Sequence, residues 1–262
     1  MEIISSKENK KIKEARKLLT KKYRKTSYLV EGFHLLEEAL KADHPVLQIF
    51  VEASKEEKLE KLLAKVGRPI TAVKQSSELT GLSVNFVTPE VLKSLAESEH
   101  PQGVIAEVGF INRKVDFSGD KYLVLEHVQD PGNVGTMIRT ADAAGFDGVL
   151  LLGETADPYS PKVIRAMQGS HFHLPVIKSS VTEGFKDLQK AELPILTTTL
   201  SADSVAYQTI HKERFALVMG NEGAGVSEEA VKAADILVHI EMPGQAESLN
   251  VAVAAGILMF SM

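Results

Sequence analysis

The chain of 262 residues has no cysteine, so disulfides, thiolate metal sites and a cysteine nucleophile are all excluded. It has no apolar stretch of the roughly 20 residues that a membrane-spanning helix needs. The first twenty residues are basic and helix-like, with no apolar signal core or cleavage site, so a cytoplasmic protein is expected. Internal repeats and low-complexity tracts are missing. No GxxxxGK[ST] run occurs, which removes the phosphate-cradling P-loop. The best approach to a dinucleotide fingerprint, Gly223 and Gly225, fails at its third position, where Glu228 stands.

What remains is a composition of 44% hydrophobic and 25% charged residues, ordinary for a folded chain long enough to form two domains. The net charge of −5 hides an asymmetry. Residues 1–25 hold ten lysines and arginines against three glutamates, a local charge of +7. Such a block on an acidic protein suits a polyanion, whose condensed counterions are released on binding. The plainer reading, compatible with the first, is a solvated helix that turns Ile12, Ala15 and Leu19 inward.

Periodicity over the first hundred residues predicts strands at Tyr28–Val30, Val46–Val51, Ile70–Val73 and Asn85–Val87, with helices at Phe33–Lys41 and Glu56–Lys65. Thr88-Pro89-Glu90 supplies a helix start: a cap, a first-turn proline and an acid at the positive dipole end. This is a small α/β/α domain ending with a strand at Gly103–Phe110, and the polar Asn112–Asp120 stretch marks the boundary. Continuous apolar runs then follow at Tyr122–Glu126, Val149–Leu152, Leu193–Leu196, Phe215–Met219 and Ile236–Ile240. Runs of that kind separated by helical patterns predict a parallel sheet covered on both faces. Leu249–Phe260, apolar all round except Asn250, predicts a helix buried on every side, in the domain or against another subunit.

Three segments are polar where such a core should be apolar: Asp130–Arg139, Gly220–Gly225 and Ser248–Val251. Each lies at a strand end or helix start, where open α/β sheets gather their ligand groups. Asp130-Pro131-Gly132-Asn133 is by itself only a strand-to-helix turn. That leaves Arg139 unexplained in an otherwise apolar helix, and Asn133 and Arg139 are expected to face a crevice beyond Glu126. A helix N-terminus and a guanidinium together favour an anion. Gly220–Gly225 is at its simplest a flexible connection, and at its most specific a loop whose backbone passes close to a ligand. Ser248 reads as a helix cap, while a buried Asn250 amide requires a partner, because leaving it unpaired costs about 1–3 kcal/mol. His171 and His173 alternate like strand residues and lack a third metal ligand. His127 is kept as a neighbour of the crevice.

With these spacings, Asn133-x-Gly135-x3-Arg139, Met219-Gly220-Asn221-Glu222-Gly223 and Ile240-x-Met242-Pro243 followed by Ser248-Leu249-Asn250-Val251 resemble the three ordered motifs of the SpoU/TrmH family of RNA ribose 2′-O-methyltransferases. Tyr28–Leu40 and Pro101-Gln102-Gly103 resemble the family's N-terminal substrate-binding domain, itself similar to ribosomal protein L30e. Glu241 departs from the pattern, where the family usually has proline. The resemblance implies an L30e-like domain over residues 1–110 with a basic N-terminal helix over 1–25, a linker over 111–120, and over 121–262 a mostly parallel SPOUT domain with a deep trefoil knot, an exception to unknotted folds. It implies S-adenosylmethionine held largely by backbone near Thr198, Gly220, Ile240, Met242 and Leu249, without a metal. It implies catalytic roles for Arg139, Asn133, Glu222, Ser248 and Asn250. The family proposal makes the arginine a general base. A group with a pKa above about 12 is better suited to stabilising an alkoxide or gripping a phosphate. A homodimer and an RNA substrate, ribosomal RNA ahead of tRNA, complete the implication, with neither DNA nor membrane as partner. The rivals are a non-enzymatic RNA-binding or ribosome-assembly factor of the same fold and a small-molecule methyltransferase, the latter leaving the N-terminal domain without a purpose.

Overall fold

The computed structural model of the chain describes residues 2–68, 82–112 and 115–262. The strand expected at Ile70–Val73 lies outside them. Two compact units emerge, Met1–Asn112 with Tyr159–Phe172, and Arg113–Pro158 with His173–Met262. The Tyr159–Phe172 stretch, expected in the second domain, groups with the first. Within that unit the Tyr159 ring lies 4.5 Å from Phe110 and 4.8 Å from Tyr28, and His171 Nε2 pairs with the Tyr28 hydroxyl at 3.0 Å. Periodicity marks an amphipathic helix but does not name the surface it covers.

The first unit carries a five-stranded mixed sheet. In chain order its strands are β1 (Ile3–Ile4), β2 (Ser27–Glu31), β3 (Val46–Glu52), β4 (Ser83–Val87) and β5 (Val104–Gly109), and their spatial order is β1-β4-β3-β5-β2. β5 runs antiparallel to both β2 and β3, while β4 is parallel to β3 and β1. Around it lie α1 (Lys10–Lys17), α2 (Phe33–Lys41), α3 (Glu56–Lys65) and α4 (Pro89–Lys93). The basic segment is helical over eight residues, less than the 1–25 expected, because the chain turns at Leu18 and enters a 3-10 turn at Lys21–Tyr23. Its inward face is Ile12, Ala15 and Leu18, with Leu19 only half-buried.

The second unit holds seven strands: β6 (Lys121–Glu126), β7 (Gly148–Leu152), β8 (Val176–Ser179), β9 (Ile195–Thr198), β10 (Val205–Ala206), β11 (Phe215–Met219) and β12 (Ile236–His239). All neighbours pair in parallel, in the order β10-β12-β9-β11-β6-β7-β8. Every residue of β7 and β11, and of β6 after Lys121, is buried, as an apolar run covered on both faces requires. From β6 the chain moves outward through β7 to β8, then crosses to β9 on the far side of β11. That reversal opens a crevice at the carboxyl ends of the central strands.

The helices after these strands start on side-chain caps. Asp130 accepts from Asn133 N at 2.8 Å and Pro131 follows it, fixing the start of α5 (Pro131–Ala143). After α6 (Pro161–Met167, grouped with the first unit), α7 (Val181–Lys190) and α8 (Glu228–Ala233), the chain ends in α9 (Val251–Ser261). Asn250, and not Ser248, caps α9, accepting from Ala252 N at 2.9 Å and Val253 N at 3.2 Å. α9 packs against α5, where Gly256 faces Thr140. The all-round burial expected of α9 is not met within one chain. Ala255, Leu258 and Met259 are buried, whereas Val253 and Phe260, seven residues apart and on one face, are 52% and 65% exposed.

Candidate active site

The cleft at the carboxyl edge of the second sheet occupies about 400 Å³, within the range of small-molecule sites. Its walls are the ends of β9, β11 and β12, the Gly220–Gly225 loop, and the approach to α9. Thr198, Gly220, Ile240, Met242 and Leu249, the residues expected at a cofactor, all line it, together with Glu222 and Ser248. No lysine or arginine lines it among the described residues.

The loop that forms one wall is closed on itself. Asn221 N donates to Gly225 O at 2.8 Å and Gly225 N returns to Asn221 O at 3.0 Å. Asn221 Oδ1 accepts from Gly223 N and Ala224 N, both at 2.9 Å, and its Nδ2 donates to His127 O at 2.9 Å. Gly225 has φ +71°, and a Cβ on Gly220 would fall onto the Gly225 carbonyl, so both glycines are dictated by the backbone. The far end of the loop is tied down by Glu126, fully buried at the end of β6, which accepts from Ser227 N at 2.9 Å and Ser227 Oγ at 2.6 Å. Ser227 in turn caps α8 through Ala230 N at 3.1 Å.

Beside the cleft the three polar segments meet. Asn250 Nδ2 donates to Asn133 Oδ1 at 3.1 Å, and Asn133 Nδ2 donates to Glu222 Oε1 at 3.1 Å. Glu222 also accepts from Asp130 N at 3.1 Å and Gln129 N at 3.2 Å. Burial pushes the Glu222 carboxyl up, but the hydrogen bonds from Asn133 and the backbone outweigh it and hold the group below its ordinary value. The carboxylate is thus the ionised hub of a fixed hydrogen-bonded chain. Asn250 is exposed in the single chain, in contrast to the burial expected of it, and its partners are Asn133 and the α9 amides.

Arg139 stands apart. Six positions along a helix amount to about 600°, so its side chain leaves α5 about 120° round from that of Asn133. It is exposed, does not line the cleft, and has no hydrogen-bond or ion-pair partner among the described residues. The histidines diverge. His171 sits in a 3-10 turn and not a strand, and His173 Nδ1 pairs with Asp142 Oδ2 at 2.8 Å. No group of three or more metal-binding side chains exists among the described residues. His127 has φ +54°, and its Nδ1 accepts from Glu154 N at 3.1 Å.

Three contributors had no role assigned from the sequence. Glu126 and Asn221 shape the loop, and an acid closing an apolar strand was the available signal for the first. The third, His239, lines the cleft, and its Nδ1 lies 2.9 Å from Ser204 Oγ. Ser204 Oγ donates its one proton to Ser201 O at 2.7 Å, so it accepts from His239 Nδ1–H. In the tautomer with its one proton on Nδ1, Nε2 is the acceptor.

A parallel sheet with a ligand cleft at its carboxyl edge, walled by a closed glycine loop and flanked by an asparagine–carboxylate chain, defines an α/β protein with a small-molecule site. Residues 120–260 match the SpoU rRNA Methylase family and residues 9–106 the MRM3-like substrate binding domain. The chain belongs to the SpoU rRNA methylase family. It is 40% identical to the 23S rRNA (guanosine(2553)-2′-O)-methyltransferase RlmP of Bacillus subtilis, over 99% of this chain and 98% of that protein. It is 29% identical to a 23S rRNA (uridine(2479)-2′-O)-methyltransferase of Streptomyces viridochromogenes, over 92% and 83%. Among solved structures, an AdoMet-bound rRNA methyltransferase from Sinorhizobium meliloti is similar with a TM-score of 0.83 and 34% identity, over 99% of this chain and 96% of that one.

Proposed function

We propose that the protein methylates a ribose 2′-hydroxyl of RNA, ribosomal RNA before tRNA, with S-adenosylmethionine as donor. The observation that carries this reading is the Asn250–Asn133–Glu222 chain standing beside the cleft at the sheet's carboxyl edge. The cleft fits the donor. Its walls offer backbone groups, hydroxyls and aliphatic surface without a lysine or arginine among the described residues, which suits a nucleoside–amino-acid ligand and not a polyphosphate. Thr198, Gly220, Ile240, Met242 and Leu249 would hold it. When bound, S-adenosylmethionine supplies an electrophilic methyl on a sulfonium whose leaving group is a neutral thioether.

The chain's own residues position the sugar and manage its charge. Asn133, Glu222, Ser248 and Asn250 orient the ribose by hydrogen bonds. Arg139, a guanidinium cation, stabilises the developing alkoxide while the hydroxyl proton passes to solvent water, and it grips the neighbouring phosphate. Requiring a 2′-hydroxyl selects RNA over DNA. Because Arg139 is exposed and does not line its own cleft, the working unit is a homodimer, whose second copy covers the Val253 and Phe260 face and meets the substrate with Arg139. Residues 1–110 hold the RNA, 111–120 link, and 121–262 methylate, with the cleft walls drawn from the segments that a trefoil knot interlaces. No helix among the described residues is long and apolar enough to cross a membrane, and the cytoplasm, where ribosomal RNA is processed, is the compartment this reading assigns.

The test is transfer of tritium from methyl-labelled S-adenosylmethionine to unmodified ribosomal RNA, with ribose methylation mapped afterwards. Calorimetry showing that the protein does not bind the donor would move the reading to a non-enzymatic RNA-binding factor.

A further inference from the structure

The basic block separates into two kinds of cation. Lys13 and Lys17 are answered by Glu8 at 2.5 Å and Glu14 at 2.8 Å, and Lys11 bonds Asn85 Oδ1 at 2.7 Å. Arg24 turns inward, its Nη1 donating to Leu18 O and Leu19 O, both at 2.9 Å. Lys21, Lys22 and Lys25 are exposed and without an acidic partner among the described residues.

Between them stands Tyr23, 47% exposed. Among the described residues its hydroxyl makes no hydrogen bond, and the one cation placed over its ring is Lys22 Nζ, 5.6 Å from the ring centre. The fold therefore makes little use of an aromatic ring that costs free energy to leave in water. The ring does not hang on a loose segment. Tyr23 N donates to Thr20 O at 3.0 Å, Arg24 clamps the preceding turn, and Ile12, Ala15 and Leu18 anchor α1 in the first unit's core with Phe50 and Leu92. A rigid, exposed aromatic ring flanked by unpaired lysines has the chemistry of a stacking platform: the ring takes the face of a base and the ammonium groups take its phosphates. Bases in a duplex are already stacked on their neighbours, so such a platform selects an unpaired stretch.

We infer that the Lys21–Lys25 turn is a docking surface for single-stranded or bulged RNA, with one base stacked on Tyr23 and the flanking phosphates held by Lys21, Lys22 and Lys25. The surface deepens the RNA-modifying reading, on which it rests, by giving the first unit a specific grip and a preference for unpaired RNA.

The full-length chain is titrated with a fluorescein-labelled oligouridylate of about 12 nucleotides, and with a blunt RNA duplex of the same length, at several salt concentrations. Tyr23→Ala is expected to weaken single-strand binding about 10-fold or more with an unchanged salt slope, while Tyr23→Phe keeps wild-type affinity because stacking needs no hydroxyl. Replacing Lys21, Lys22 and Lys25 together by alanine should flatten the slope of log K against log salt by roughly 2, at about 0.7 per phosphate. Calorimetric binding of S-adenosylmethionine by Tyr23→Ala, at wild-type affinity, shows that the fold is intact. Wild-type affinity of Tyr23→Ala for the single strand, or equal losses in Tyr23→Ala and Tyr23→Phe, would overturn the surface and leave the methyltransferase reading standing. A wild-type chain that binds no donor would overturn that reading first.

Discussion

In the first unit Lys21, Lys22 and Lys25 of the basic block face solvent as separate charges. In the second, one polar residue from each of the three singled-out segments is hydrogen-bonded into a chain. Lys21, Lys22 and Lys25 lack acidic partners among the described residues, whereas Asn133, Glu222 and Asn250 complete each other's hydrogen bonds. Exposed charges act over about a Debye length and weaken with salt, which suits holding a long polyanion in many registers. A fixed network acts only at one place and is little screened, which suits orienting one sugar. On the function proposed, the two arrangements divide capture from chemistry.

The harshest way to break that division is at Arg139, an exposed cation assigned to chemistry. Arg139→Ala should lower methyl transfer by about 10³-fold while the donor affinity stays within about twofold, since the residue does not line the cleft. Tritium transfer and calorimetry on one preparation check both halves, and unchanged turnover would return Arg139 to the class of capture residues.

Glu222→Gln keeps the shape of the hub but weakens its acceptance of the Gln129 and Asp130 amides and of Asn133, and turnover should fall by about 10²-fold. The group carries a pH signature as well. Its carboxyl is held below its ordinary 4.5, so its contribution to stability is complete above about that pH and fades as the pH falls below it. The gap in melting temperature between wild type and Glu222→Gln should therefore be widest near neutrality and close in acid.

His239 offers a smaller and cleaner effect. With Nδ1–H committed to Ser204, His239→Ala removes one acceptor from the cleft wall and should weaken donor binding about 10-fold, with Ser204→Ala costing less. Isothermal calorimetry decides, and an unchanged affinity would leave His239 as a wall without a bond.

The mildest effect belongs to the periphery of the first unit. Lys41 and Lys65 beside Glu37 hold its carboxyl down to about 2. The stabilisation is present above about pH 4.5 and is lost as the pH falls toward 2. Exposed lysine partners limit it to about 0.5 kcal/mol. Denaturant melts of Glu37→Gln should differ from wild type by about that much near neutrality and less in high salt.

Much of the second unit was legible because its strands are buried on both faces and read as unbroken apolar runs. The two strands that escaped, Val176–Ser179 and Val205–Ala206, are the outermost of the sheet, and an edge strand half in solvent leaves no such run. Convergence of the three motifs was legible through the types and order of Asn133, Glu222 and Asn250. The pairing of Ser204 with His239 was not, because a two-residue edge strand sets it. The sequence offered Ser248 as the cap of the last helix, and the backbone gives that role to Asn250, two residues on. Helical pitch did contain the divergence of Asn133 and Arg139, a matter of residue spacing alone.

Asn250 begins the last helix with one end of its amide and reaches Asn133 with the other. Fraying at the start of that helix therefore also breaks the Asn250–Asn133 link of the chain proposed to orient the sugar. Any contact that steadies the eleven-residue last helix, a second subunit included, tightens the groups proposed to orient the sugar without touching them, and a substitution that loosens its first turn would slow methyl transfer from a distance.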